Sequence, residues 1–208
     1  MSATANDMTT KRPAAAALLN LPNQLTVARL VLSLVLFGFI GFGWYGTSLV
    51  LFLIAAGTDW LDGYFARKYG LITVLGRILD PFADKVIICG SLIFLVAIPN
   101  SGLHELGLRA WLVVLVVGRE LLITGLRSFL EQQGADFSAA MSGKLKMVAQ
   151  CALVGCGLGY LGWPTISGSG AAAPQALAVA VEVSVWATAV LTAYSGIVYV
   201  LAAIRLLR

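Results

Sequence analysis

Apolar residues gather in six long runs along this chain, at 25–44, 47–65, 79–98, 110–130, 145–163 and 176–204, separated by short polar or glycine- and proline-bearing breaks. Each run approaches or exceeds the roughly 20 residues that carry an α-helix across the hydrocarbon core of a bilayer. The breaks fall at Gly41-Phe42-Gly43, around Gly70, at Pro99-Asn100-Ser101-Gly102, near Gly134 and across 164–174, where Gly, Ser, Ala and Pro dominate. The pattern predicts an all-α integral membrane protein with six transmembrane helices. Ahead of the first crossing, residues 13–23 are expected to form a short interfacial helix on the membrane surface, and residues 1–12 a flexible tail. No stretch repeats another, so an inverted-repeat transporter finds no support, and residues 1–208 read as a single membrane domain.

Composition agrees with lipid as the solvent. Of the 208 residues, 59% are hydrophobic and 12% charged, whereas charged residues make up about a quarter of an ordinary soluble chain. The first residues have a polar start and an alanine run but not the charged, apolar and small-residue succession of a secretory signal, and no signal peptide is expected. Cys89, Cys151 and Cys156 stand singly inside apolar runs without CxxC spacing and read as small core residues. The net charge of +4 bears on topology and anionic headgroups, and no nucleic-acid partner is expected. With these breaks, Lys11, Arg12, Arg29, Arg67, Lys68, Arg77, Lys85, Arg127, Lys144, Lys146, Arg205 and Arg208 fall on one membrane side and Arg109 on the other. The positive-inside rule then puts both termini and the loops after the second and fourth crossings in the cytoplasm, as in a multi-pass protein of a bacterial inner membrane.

Against this background, four of the ten acidic residues, Asp59, Asp62, Asp80 and Asp84, crowd into 26 positions. A charge at mid-bilayer costs roughly 2.5 to 3.5 kcal/mol on insertion scales, so such a cluster needs something to neutralise it. On a helix, Asp59, Asp62, Gly63 and Ala66 follow i, i+3, i+4, i+7 spacing and share a face; Asp80 and Asp84, at i and i+4, share another. Two antiparallel helices could point all four carboxylates at one spot. An all-oxygen donor set suits Mg²⁺ or Mn²⁺, and no His or Cys set suits Zn²⁺. A metal with open positions could take a diphosphate, while Gly63, Ala66 and Gly76 would let it and a flat base approach the backbone. Two other readings stand beside this one. The acids could pair with Arg67, Lys68, Arg77 and Lys85 in a solvated loop, or mark the ion path of a cation transporter, which would spread them through the bilayer depth.

The residues spell Asp59-x2-Asp62-Gly63-x2-Ala66-Arg67-x8-Gly76-x3-Asp80-x3-Asp84, which matches the signature of the CDP-alcohol phosphotransferase family in every fixed position. Pro22-Asn23-x2-Thr26-x2-Arg29 also resembles that family's N-terminal segment, so the resemblance covers most of the chain. It implies an enzyme that moves a phosphatidyl group from CDP-diacylglycerol to an alcohol, releases CMP and works as a homodimer with a pair of divalent ions, Mg²⁺ or Mn²⁺. It implies Asp59, Asp62, Asp80 and Asp84 as metal ligands, with Asp84 also the catalytic general base. It implies Asn23, Thr26, Asp62, Gly63, Ala66, Arg67 and Gly76 as the CDP-lipid site. A two-metal clamp that neutralises phosphoryl charge and orients in-line attack is physically consistent with these roles.

In the second half of the chain, Gly118-Arg119-Glu120, Gly125-Leu126-Arg127 and Ser142-Gly143-Lys144-Leu145-Lys146 are similar to family members whose acceptor is glycerol 3-phosphate. On that resemblance Arg119, Arg127 and Lys144 hold the acceptor's phosphate. Inositol phosphate and phosphatidylglycerol remain alternative acceptors. Arg119 and Glu120 could instead serve helix packing, and Arg127, Lys144 and Lys146 could be interfacial anchors. Glu182 is expected in an interhelical hydrogen bond or a subunit contact, without a catalytic role. Trp44, Trp60, Trp111, Trp163, Tyr160 and Tyr194 suit interfacial belts or helix packing, and His104 is expected to be solvated.

Overall fold

A computed structural model describes residues 21–69, 74–132, 141–168 and 170–206, and the side chains among these except those of 21–23, 25, 59–69, 74–81, 131–132, 141–142 and 206. The described residues form six helices: α1 (Leu21–Gly41), α2 (Tyr45–Tyr69), α3 (Val74–Ala97), α4 (Ala110–Gln132), α5 (Met141–Ile166) and α6 (Gln175–Leu206). Each corresponds to one expected apolar run. The expected tail at 1–12 and most of the interfacial helix at 13–23 lie outside the described residues. Gly143–Ile166 and Gln175–Arg205 are long and apolar enough to cross a membrane; Thr26–Gly41 and Tyr45–Thr58 are shorter apolar segments.

Two boundaries differ from expectation. Trp44 lies in the turn after α1, because Gly43 takes φ 78° and lets the chain reverse into α2. Pro164 does not end α5: the next turn still closes through Ser167 N–H to the Trp163 carbonyl at 2.9 Å, so the proline removes one hydrogen bond near the end without breaking the helix.

Side-chain contacts set the helix directions. Phe37 of α1 stacks on Phe94 of α3 at 5.2 Å, and Arg29 pairs with Asp84 further back on the same two helices, so α1 and α3 run parallel. Trp111 meets Trp186 at 6.3 Å and Arg119 lies over Tyr199, so α4 and α6 run parallel. The start of α2 packs on the end of α5, where a Cβ built on Gly162 would stand 2.8 Å from the Gly46 nitrogen; only paired small residues permit backbones this close. Gly90 likewise gives up its side-chain space to the ring of Phe37. The helices therefore alternate in direction along the chain. One half of the bundle holds Arg29, Asp84, Lys85, Arg119, Glu120, Lys144, Lys146 and Arg205. The opposite end holds Trp44, Trp111, Trp163 and Trp186.

Leu36, Ile40, Phe52, Leu92, Leu95, Leu112, Val116, Leu153, Leu158 and Val185 belong to one contiguous core. A smaller cluster of Ile123, Leu130, Tyr199 and Ala203 joins α4 to α6 in the charged half. The outside is apolar too: Val31, Leu34, Leu53, Val114, Leu121, Val148 and Val190 are all exposed. A helix bundle in water would present polar residues there. His104 departs from the solvated position expected of it. It is half-buried with Nε2 3.0 Å from the Val96 carbonyl oxygen, because fully buried Leu103 and Leu108 fold its loop back onto the bundle.

Candidate active site

The first part of the site is a matter of helix continuity. Helix α2 runs unbroken through Tyr69, so positions 59, 62, 63 and 66 keep helical spacing on it, and positions 76, 80 and 84 fall in the first half of α3. The two helices are joined by residues 70–73. The side chains of Asn23, Asp59, Asp62, Gly63, Ala66, Arg67, Gly76 and Asp80 lie outside the described residues.

Asp84 is described in full. Its carboxylate is partly exposed, 31% of the side chain remaining accessible, and Arg29 Nη1 donates to its Oδ1 at 2.8 Å. Arg29 is itself buried at 3% exposure, on an apolar helix one turn after Thr26, which is buried at 2%. A charge so enclosed is stable only when paired. The Arg29 contact with Asp84 was not anticipated, although an arginine set in an apolar run already asks for an acid opposite it.

The second part lies between α4, α5 and α6. Glu120 Oε1 accepts from Arg119 Nη1 at 3.2 Å and from Lys146 Nζ of α5. All three side chains are about nine-tenths buried. The Arg119 guanidinium also lies 5.4 Å over the ring of Tyr199 from α6, a cation–π contact. Glycines lie beside both members of this contact: a Cβ on Gly143 of α5 would sit 3.5 Å from the Tyr199 hydroxyl, and one on Gly196 of α6 3.4 Å from Arg119 Cγ of α4. Lys144 and Arg127 are exposed, in the same half of the bundle. Lys144 and Lys146 are two residues apart, about 200° around a helix, so only one of them can face inward. The structure turns Lys146 in and leaves Lys144 out. That periodicity was the available signal for Lys146; Tyr199, in an apolar run, offered none.

Glu182 is exposed at the other end of α6, beside an open groove of about 520 Å³ lined with Val183, Trp186, Ala187, Val190 and Leu191. It is remote from the charged half.

A sequence model of the family described as CDP-alcohol phosphatidyltransferase matches residues 19–194. Several similar proteins share one name, CDP-diacylglycerol--glycerol-3-phosphate 3-phosphatidyltransferase. The Bacillus subtilis protein of that name is 37% identical over 146 residues, 63% of this chain and 72% of the relative. The Rickettsia felis protein is 31% identical over 183 residues, 86% of this chain and 93% of the relative. The Salmonella choleraesuis protein is 35% identical over 140 residues, 63% of this chain and 72% of the relative.

Proposed function

Because the chain belongs to the CDP-alcohol phosphatidyltransferase family, we propose that it transfers the phosphatidyl group of CDP-diacylglycerol to glycerol 3-phosphate, giving phosphatidylglycerol phosphate and CMP. The observation that carries this reading is the likeness to relatives named for that reaction, one of which aligns with 86% of the chain.

The acceptor's hydroxyl attacks the phosphorus that bears diacylglycerol, its proton passes to Asp84, and the bond to CMP breaks. The proton acceptor must come within hydrogen-bond reach of the hydroxyl, and the partial exposure of Asp84 leaves it reachable. Asp59, Asp62, Asp80 and Asp84 supply an all-oxygen donor set that fits a pair of hard divalent cations, Mg²⁺ or Mn²⁺. Such ions, when bound, neutralise charge on the diphosphate and on departing CMP. Asn23, Thr26, Asp62, Gly63, Ala66, Arg67 and Gly76 hold the CDP moiety, with Arg67 on the diphosphate. Arg119, Arg127 and Lys144 hold the acceptor's phosphate; the burial of Arg119 against Tyr199 and Glu120 gives it a fixed starting geometry.

The six helices act as one membrane domain of six crossings, with the charged half and both termini toward the cytoplasm of a bacterial cell, and the protein works as a homodimer. The placing of Glu182 supports the crossing scheme. Trp186 is level with Trp111, which stands one residue after the start of α4. At 32 residues, α6 is about 48 Å long, well beyond the roughly 30 Å hydrocarbon core. Its first turns therefore stand outside that core and leave Glu182 exposed on this chain, where a subunit contact remains open to it and an interhelical hydrogen bond is not formed among the described residues.

An acceptor panel tests the function. Purified protein with Mg²⁺ or Mn²⁺ and CDP-diacylglycerol is expected to release CMP on addition of glycerol 3-phosphate. Release only with inositol phosphate, serine or phosphatidylglycerol refutes the assignment.

A further inference from the structure

We infer that Arg29 is a positioning residue for the transfer: from α1, its guanidinium fixes the Asp84 carboxylate by Oδ1 in the orientation from which that carboxylate meets the acceptor hydroxyl. The inference rests on the transferase reading above and adds a role on a helix outside the aspartate signature.

Three observations carry it. The contact is a 2.8 Å charge-assisted hydrogen bond between side chains 55 residues apart, within the short range of N⁺–H···O⁻ bonds. Arg29 is 3% exposed while Asp84 keeps 31% of its side chain accessible, so the arginine is the enclosed member and the acid the one that reaches outward. The two helices are also held in register away from the pair: Phe37 stacks on Phe94 at 5.2 Å and occupies the space left by Gly90. The guanidinium thus approaches from a fixed platform.

A carboxylate on a short stem has two rotatable bonds, and one anchored oxygen removes most of that freedom. Catalysis is sensitive to such anchoring, since misplacement by about 1 Å can cost 100-fold in rate. A guanidinium does this better than an ammonium, because its planar fork keeps a constant direction and its charge persists at all accessible pH. A merely structural tie would lower stability without changing the turnover of the molecules that remain folded.

The test compares Arg29→Met and Arg29→Lys with wild type, as full-length protein in detergent, by kinetics normalised to folded protein and by thermal unfolding in chelator. Arg29→Met is expected to lower kcat at least 30-fold with KM for CDP-diacylglycerol and for acceptor each within threefold, and Arg29→Lys to recover at least a third of the loss on a logarithmic scale. In chelator, Arg29→Met should lower the unfolding midpoint more in wild type than in an Asp84→Asn background. If Arg29→Met does not fold, Arg29→Lys alone decides, with a three- to tenfold fall in kcat at unchanged KM expected. A kcat within twofold of wild type in the variant that decides, or a loss confined to KM, overturns the inference. Wild type that releases no CMP overturns the transferase reading and this role with it; active wild type with unaffected Arg29 variants overturns this role alone.

Discussion

Lys146 on α5 donates a hydrogen bond to Glu120 on α4, with both side chains about nine-tenths buried and Arg119 Nη1 3.2 Å from the same glutamate oxygen. One carboxylate therefore compensates two cations in the interior of the bundle. Removing one partner of a buried pair is far worse than removing both, because a bare charge is left behind. Glu120→Ala is expected to destabilise the protein by about 3 to 5 kcal/mol, and Glu120→Leu combined with Lys146→Met to recover only part of that, because buried Arg119 still lacks its carboxylate. Thermal unfolding in detergent measures both.

Arg119→Ala should act on the soluble substrate. Its guanidinium sits between Glu120 and Tyr199 in the charged half, where the proposed acceptor phosphate binds. Steady-state kinetics are expected to show KM for glycerol 3-phosphate rising tenfold or more, with KM for CDP-diacylglycerol changed by less than threefold. Equal rises in both constants would make Arg119 a packing residue.

Packing at the opposite end offers a cleaner stability test. Gly162 lies against the Gly46 backbone, whereas a Cβ on Gly155 meets nothing within 4 Å. Gly162→Ala should cost about 1 to 3 kcal/mol through overpacking, and Gly155→Ala should be neutral or mildly stabilising. Equal midpoints for the two variants would contradict the close α2–α5 contact.

Topology is open to chemical labelling. In a background with Cys89, Cys151 and Cys156 replaced by alanine, Glu182→Cys is expected to react with a membrane-impermeant maleimide on intact cells, and Arg205→Cys only after permeabilisation. The reverse pattern would invert the bundle.

Much of this molecule was legible in its sequence, because lipid imposes a simple rule: a backbone in hydrocarbon must satisfy its hydrogen bonds internally. Long apolar runs such as 110–130 and 176–204 therefore announced α4 and α6 nearly to their ends. The acids at 59, 62, 80 and 84 stood out for the complementary reason that charge is costly there, and of their side chains the structure describes that of Asp84. Tertiary pairing was not. Nothing local says that Arg29 meets Asp84 across 55 residues, or that Glu120 takes Lys146 and leaves Lys144 outside. The reach of α6 beyond the start of α4 also escaped, since an apolar run does not reveal its height relative to its neighbours; the Trp111–Trp186 contact supplies that.

The transfer itself is tested most directly by following label from glycerol 3-phosphate into lipid. Purified protein given CDP-diacylglycerol, radiolabelled glycerol 3-phosphate and Mg²⁺ or Mn²⁺ is expected to form labelled phosphatidylglycerol phosphate mole for mole with CMP. Asp84→Asn should bind the CDP-lipid and form neither product. CMP released without label in the lipid, or labelled lipid formed as fast by Asp84→Asn as by wild type, would contradict the account.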